Sequence, residues 1–166
     1  MKTMLFTGTI IMLSRETAIR EIFKTHGKEA LYVTTTGYIS RAVYKLFPDN
    51  KNIFYMKGSM GLVSGIALGM SIFTDKQVIA ISGDGAHLMH LGITHTIKDH
   101  KKDNLFVYIL DNGCHESVGG QSCPTLEKKY LGVDKVYKIS CDGKTPRVEK
   151  GFRENAKEII DLLKFN

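Results

Sequence analysis

At 166 residues, with 43% hydrophobic and 24% charged side chains, the chain has the make-up of one soluble globular domain with a sizeable core. Its net charge is +6, but the lysines and arginines are scattered, as in "KDHKKDN" and "LEKKYLG". No basic stripe interleaved with aromatics appears, so nucleic-acid binding is not expected, and the charge reads as a solvated surface that favours anionic substrates. In chain order, the first apolar run, "MLFTGTIIML" at residues 4–13, is too short to span a bilayer and no small-residue cleavage site follows it. Residues 1–13 are therefore expected to form an N-terminal extension packed on the domain or on a neighbour, with no membrane partner.

"SRETAIREIFKTHG" opens at Ser14, carries Ala18, Ile19, Ile22 and Phe23 at helical spacing and stops at Gly27, predicting a capped helix. "ALYVTTTG" is a β-branched run ending at Gly37, hence a strand. "ISRAVYKLF" predicts a short helix stopped by Pro48, "NIFYM" a short strand, and "GSMGLVSGIALGMSI" a glycine-rich helix. "QVIAIS" and "NLFVYILDN" are almost wholly apolar, the pattern of strands covered on both faces of a parallel sheet. Between them "AHLMHLGITHTIKDH" predicts one helix, and "KVYKIS" and "FRENAKEIIDLLKF" close the chain as a weaker strand and an amphipathic helix. The alternation predicts a single α/β domain: a doubly wound, mostly parallel sheet with helices on both faces. The three cysteines, Cys114, Cys123 and Cys141, show no CxxC spacing, which favours a reducing, cytoplasmic setting over a disulfide framework.

Ligands of such folds bind at the carboxyl ends of the strands. The unusual chemistry of this sequence gathers there, in "TTTG", "MKGSMG", "SGDGAH" and "LDNGCHESVGGQ". Asp84 and Asn112 each follow a buried strand, and a carboxylate oxygen with an amide oxygen suits Mg²⁺, which keeps phosphate oxygens and water in its other positions. Gly83 and Gly85 leave backbone N–H groups accessible, and a helix starting at Ala86 would favour an anion at its positive end. The plainer alternative makes Asp84 a helix cap and Asn112 a turn residue. His87 and His90 lie three apart on one helix face, but without a Cys or carboxylate partner at matching spacing zinc is not expected. His90 and His95 read as packing or surface residues.

"GDG", then helix and strand, then "DNG", resembles the thiamin-diphosphate binding motif, in which the Asp and the downstream Asn hold magnesium; the separation from Asp84 to Asn112 matches. "GSMG" resembles the segment under the cofactor's aminopyrimidine in thiamin-diphosphate decarboxylases. That implies a carbonyl from Gly58 and a wedge between the two rings from Met60. "TTTGYISR", "YMKGSMGLVSGIALG", "GDGAHLMHLG" and "LDNGCHESVGGQSCPT" together resemble the cofactor-binding C-terminal half of phosphonopyruvate decarboxylases and the related β subunit of sulfopyruvate decarboxylases, over roughly residues 14–125. Cys123 departs from that pattern by interrupting the Gly-Gly-Gln, small residue, Pro-Thr tail.

The resemblance implies thiamin diphosphate and Mg²⁺ as cofactors. Asp84, Asn112 and the Cys114 carbonyl would hold the metal, and Thr36, Gly37, Gly58, Met60, Gly83, Gly85 and Ala86 would complete the cofactor site. His115 is the better catalytic or anion-binding candidate, with Ser117, Gln121 and the backbone of Gly119 and Gly120 beside it in a loop expected to close over a bound anion. His87 is a second candidate to reach cofactor or substrate. These enzymes also need a glutamate on the aminopyrimidine, supplied by a second domain of the same fold, and no second α/β half is found here. The expectation is one subunit of a split 2-oxo acid decarboxylase, partnered by a pyrimidine-binding α subunit that carries the Glu, in a hetero-oligomer or self-associated form. The leading substrate is 3-phosphonopyruvate, giving phosphonoacetaldehyde and CO2. The alternatives are 3-sulfopyruvate, giving sulfoacetaldehyde, and a non-catalytic cofactor-binding subunit that regulates a partner.

Overall fold

The computed structural model describes residues 12–124, 126 and 130–163. Ser14 accepts a hydrogen bond from the Thr17 N–H and opens α1 (Arg15–His26), which ends at Gly27 with φ 76°. There follow β1 (Leu31–Thr34), α2 (Tyr38–Leu46), β2 (Ile53–Tyr55), α3 (Val63–Ile72) and β3 (Val78–Gly83). After them come α4 (Asp84–Met89), α5 (Ile93–His100), β4 (Leu105–Asp111), a 3₁₀ turn at Glu116–Val118, β5 (Lys135–Lys138) and α6 (Phe152–Leu162).

The five strands are all parallel, in the order β2-β1-β3-β4-β5. Side chains alternate between the two faces of the sheet, and each face has its own core. Tyr32, Ile79, Ile81 and Leu110 pack on one face against Ile19, Ile22 and Phe23 of α1 and Val43 of α2. Leu31, Val33, Val78, Ala80, Leu105 and Val107 pack on the other against α3, α5 and Ile159 of α6. The doubly wound expectation holds, and every residue of β3 is buried, as its apolar run predicts.

Each edge of the sheet is closed by a specific contact. Buried Asn155 of α6 donates to the Ile53 carbonyl (2.7 Å) and accepts from the Tyr55 N–H (2.8 Å), so a side chain satisfies the outer edge of β2. Beyond β5, Leu13 forms a parallel bridge with Ile139, donating to the Lys138 carbonyl at 3.1 Å. Of the expected N-terminal extension, residues 1–11 lie outside the described residues.

Two boundaries differ from the periodicity. The segment expected as one helix over 86–100 is two, α4 and α5, broken across His90, Leu91 and Gly92. Gly61 presses there: a Cβ on it would stand 3.2 Å from His90 Cβ and 3.0 Å from the Ala86 carbonyl oxygen. The break lets Ala86 and His87 face one part of the core and Ile93 and Ile97 another, with Met89 and Leu91 left at the surface. The helix expected from Gly58 starts only at Val63, because Gly58, Ser59 and Gly61 all hold positive φ, which an α-helix excludes. "GSMG" is thus a loop at the carboxyl end of β2.

Candidate functional site

The ends of β1, β3 and β4, the loops after them and the loop after β2 line a cavity of about 220 Å³. Thr36, Gly37, Met60, Gly83, Asp84, Gly85, Ala86, Asn112, Cys114 and His115 all line it. Register explains the convergence. β3 pairs in parallel with β4 up to Gly83 opposite Leu110, so the next residues, Asp84 on one chain segment and Asp111 and Asn112 on the other, leave the sheet side by side.

Asp84 is buried and is the first residue of α4. The capping position belongs to Gly83, which makes no side-chain cap, so Asp84 is not serving as the helix cap. Instead its Oδ2 accepts the Gly113 N–H at 2.9 Å, a donor shared with Asp111 Oδ1 at 3.1 Å. Burial pushes the Asp84 carboxyl up from the ordinary carboxylate range; the Gly85 and Gly113 N–H groups pull it back, and Asp111 pushes it up further. Asp111 is also buried and is paired with Lys138. Of these two adjacent carboxylates, then, Asp111 has a cationic partner, while Asp84 is met by N–H groups and the Cys123 thiol and has no cationic partner among the described residues.

Asn112 sits in a fixed orientation. Its Nδ2 donates to Glu116 at 3.0 Å, and its Oδ1 accepts the Cys114 N–H at 3.2 Å, leaving a second lone pair on that oxygen. Glu116 is held by an ion pair with buried Arg15 from α1 and by the Gly143 N–H at 2.8 Å. Asn112 is therefore a turn residue and a held oxygen donor at once. The Arg15–Glu116 pair was not anticipated, since Arg15 stands in the first turn of an ordinary amphipathic helix. Glu116 lies within the quoted loop motif, which is the one signal that pointed to it.

The loop after β4 is hydrogen-bonded into a small hairpin rather than left open. Cys114 bridges Ser122, the His115 N–H donates to the Gln121 carbonyl at 2.8 Å, and the Cys123 N–H donates to the Gly113 carbonyl at 2.8 Å. It lies over the strand ends: a Cβ on Gly85 would fall 2.4 Å from His115 Cε1, and one on Gly37 would fall 2.8 Å from Ser117 Oγ. At Gly37 a φ of 84° favours glycine as well, whereas at Gly85 a larger residue would have to displace the His115 ring. The extra residue Cys123 is accommodated beside Asp84; burial and then the Asp84 charge push its thiol up to about 11. Cys114 Sγ touches Cys141 Sγ at 3.1 Å, both thiols being free, and burial pushes the Cys114 thiol up to about 12.

Two expected site residues stand apart from this cavity. Gly58 lines a neighbouring pocket with Thr36, Gly37 and Lys57. His87 is buried on α4 with its ring edge-on to Tyr130 at 4.8 Å, and neither ring nitrogen has a hydrogen-bond partner among the described residues. Burial holds its pKa below the ordinary histidine range. His90 and His95 are exposed. Among the described residues no three His, Cys, Asp or Glu side chains gather as a metal site. One carboxylate, one amide oxygen and one carbonyl is a different set, and it fits a hard cation that keeps non-protein oxygens. The space beside Gly83 and Gly85, and the lack of a cationic partner for Asp84 among the described residues, both suit a magnesium-bound diphosphate.

This arrangement, four strand-end loops around an Asp–Asn corner on a doubly wound parallel sheet, is that of a cofactor-binding α/β domain. Residues 18–153 match the family described as thiamine pyrophosphate enzyme, C-terminal TPP binding domain, and the chain belongs to that family. Among curated proteins, the chain is 39% identical over 108 residues to a phosphonopyruvate decarboxylase of Streptomyces viridochromogenes, covering 65% of this chain and 27% of that one. It is 37% identical over 123 residues to a sulfopyruvate decarboxylase subunit beta of Methanothermobacter thermautotrophicus, covering 74% of this chain and 65% of that one. With the corresponding subunit of Methanococcus maripaludis it shares 30% identity over 148 residues, 86% of this chain and 80% of that one. The chain thus spans about a quarter of the length of the phosphonopyruvate decarboxylases it matches and most of the length of the β subunits. No helix among the described residues is long and apolar enough to cross a membrane.

Proposed function

We propose that this chain is the thiamin-diphosphate-binding subunit of a 2-oxo acid decarboxylase acting on a small acid with a second anionic group. The observation that carries the reading is the corner where Asp84, Asn112 and the Cys114 loop meet beside Gly85, in a member of a thiamin-diphosphate-binding family. When bound, thiamin diphosphate supplies the electron sink for loss of CO2 from the 2-oxo acid. The chain's own part is positioning. Asp84, Asn112 and the Cys114 carbonyl would hold Mg²⁺, with Arg15 and Glu116 keeping the Asn112 amide in place. Gly83, Gly85, Ala86, Thr36 and Gly37 would let backbone approach the diphosphate, and Gly58, in the adjoining pocket, and Met60 would contact the aminopyrimidine side of the cofactor. His115, half-buried with its ring against Gly85, lines the cavity and is the candidate catalytic group of this chain.

A partner completes the site by supplying the activating glutamate. The support is an apolar rim: Leu62, Met89, Leu91 and Val118 stand 39–70% exposed around the strand-end loops. The β-subunit naming of the relatives agrees with it. The leading substrate is 3-phosphonopyruvate, on the strength of the "HESVGGQ" run and the 39% identity to a phosphonopyruvate decarboxylase. Sulfopyruvate is the second reading, favoured by the 80% of a sulfopyruvate decarboxylase β subunit that the chain covers. The test is reconstitution with the copurifying partner chain, following CO2 release from phosphonopyruvate, sulfopyruvate and pyruvate. The proposal requires turnover that Asp84→Asn in this chain lowers at least about a hundredfold. A complex whose turnover survives that substitution would make this chain a regulator.

A further inference from the structure

Next to the cofactor cavity, at the same end of the sheet, lies a second pocket of about 310 Å³. We propose that this pocket, through Arg41, Lys57 and Arg147, binds the terminal phosphonate or sulfonate of the substrate. The inference rests on the decarboxylase reading above and adds to it the residues that select the substrate.

Three cations line the pocket, and no Asp or Glu is among its lining residues. Their placement follows from two clamps. Arg41 Nη1 donates to the Thr145 carbonyl at 3.2 Å, and Lys57 Nζ donates to the Lys150 carbonyl at 2.5 Å. These bonds hold residues 145–150 down over the strand-end loops at both ends, with Arg147 between them. Arg41 also lies over the Tyr38 ring, 5.0 Å from its centroid, a cation–π contact that helps hold it beside the pocket. Among the described residues Arg147 has no ion pair, and Glu158, a carboxylate of α6, is already held by Lys150 at 2.5 Å.

The pocket is also where a small substrate would end. It shares Thr36, Gly37 and Arg41 with the cofactor cavity, and its wall includes Gly58, the residue assigned to the aminopyrimidine. Because the two spaces share Thr36, Gly37 and Arg41, a three-carbon acid bound in the first would have its far end on the side of the second. His115, by contrast, has its ring against Gly85, at the diphosphate corner. A tetrahedral oxyanion offers three acceptor oxygens, and guanidinium forks with an ammonium match them through charge-assisted hydrogen bonds. Pyruvate carries no such group.

The test uses the isotope-labelled full chain, titrated with methylphosphonate, methanesulfonate and acetate and followed by NMR. Saturable shifts at Arg41, Lys57 and Arg147 are expected with the tetrahedral anions, and Arg147→Gln and Lys57→Gln should each weaken that binding about five- to tenfold. Arg147→Lys should restore part of it. Thiamin diphosphate affinity, measured calorimetrically with Mg²⁺ on the assembled complex, should stay within about twofold in these variants. Tighter binding of methylphosphonate identifies phosphonate as the group read, and tighter binding of methanesulfonate identifies sulfonate. Equal binding of acetate, unchanged affinity in both Gln variants, or shifts confined to Gly85 and His115 would overturn the assignment. If the complex fails to bind thiamin diphosphate while the anion still saturates these three residues, the decarboxylase reading fails and the anion pocket stands.

Discussion

Gly85→Ala tests the closeness of His115 to the cofactor corner. The new methyl carbon would lie 2.4 Å from His115 Cε1 and 2.6 Å from Nδ1, where ordinary van der Waals contact begins near 3.4 Å. The ring must therefore retreat by about 1 Å, carrying a loop whose hairpin bonds resist the movement. Overpacking of this kind costs about 1–3 kcal/mol. Against it, alanine in place of a helical glycine gains about 1 kcal/mol, and Gly85 is not among the glycines with positive φ. The net expectation is a destabilisation of about 0–2 kcal/mol. With His115→Ala in the background the clash is gone, and the same Gly85→Ala change should stabilise by up to about 1 kcal/mol. Urea unfolding of the four proteins of this double-mutant cycle measures the coupling, about 1–3 kcal/mol. An equal effect of Gly85→Ala with and without His115 would refute the contact.

Other expectations follow from buried polar groups. Asn155→Leu removes the partners of the Tyr55 N–H and the Ile53 carbonyl at the sheet edge, and urea unfolding should show a loss of about 2–4 kcal/mol. Because burial depresses the His87 pKa, the unfolded chain takes up a proton that the folded chain refuses. Stability should therefore fall as pH drops through the ordinary histidine range toward the folded value, and His87→Leu should flatten that fall in unfolding curves taken between pH 5 and 7.5. Asp84 has the opposite sign: its carboxyl is raised in the folded chain, so the metal-free protein loses stability as pH rises from the unfolded pKa through the folded one. Asp84→Asn should accordingly raise the metal-free thermal midpoint at pH 7 while weakening cofactor binding, and a lowered midpoint would contradict the unpaired-charge account.

The elements legible in the sequence were those whose cause is local. The all-apolar runs of β3 and β4 announced buried parallel strands, Ser14 and Gly27 bracketed α1, and the spacing of "GDG" and "DNG" located two strand ends that the parallel register then brought together. What escaped depends on contacts between distant segments. Arg15 reaches Glu116 across 101 positions, and nothing near either residue marks the other. The break between α4 and α5 lies where Gly61 packs against His90, a contact that the periodicity of the helix does not carry. Asp111 carries no mark in the sequence beside Asn112, yet it is buried next to Asp84 and balanced by Lys138 from β5. The cationic pocket joins Arg41 and Arg147 through a clamp between α2 and the segment before α6, which scattered basic residues in a sequence cannot announce.

The central claim is that Asp84 and its neighbours bind thiamin diphosphate through magnesium. Titrating the assembled complex with thiamin diphosphate in a calorimeter, with Mg²⁺ and with a chelator, addresses it directly. The account predicts saturable binding that requires the metal and is weakened at least about a hundredfold by Asp84→Ala, because the diphosphate loses its bridge to the protein. Equal affinity in the Asp84→Ala protein, or binding indifferent to the chelator, would contradict it.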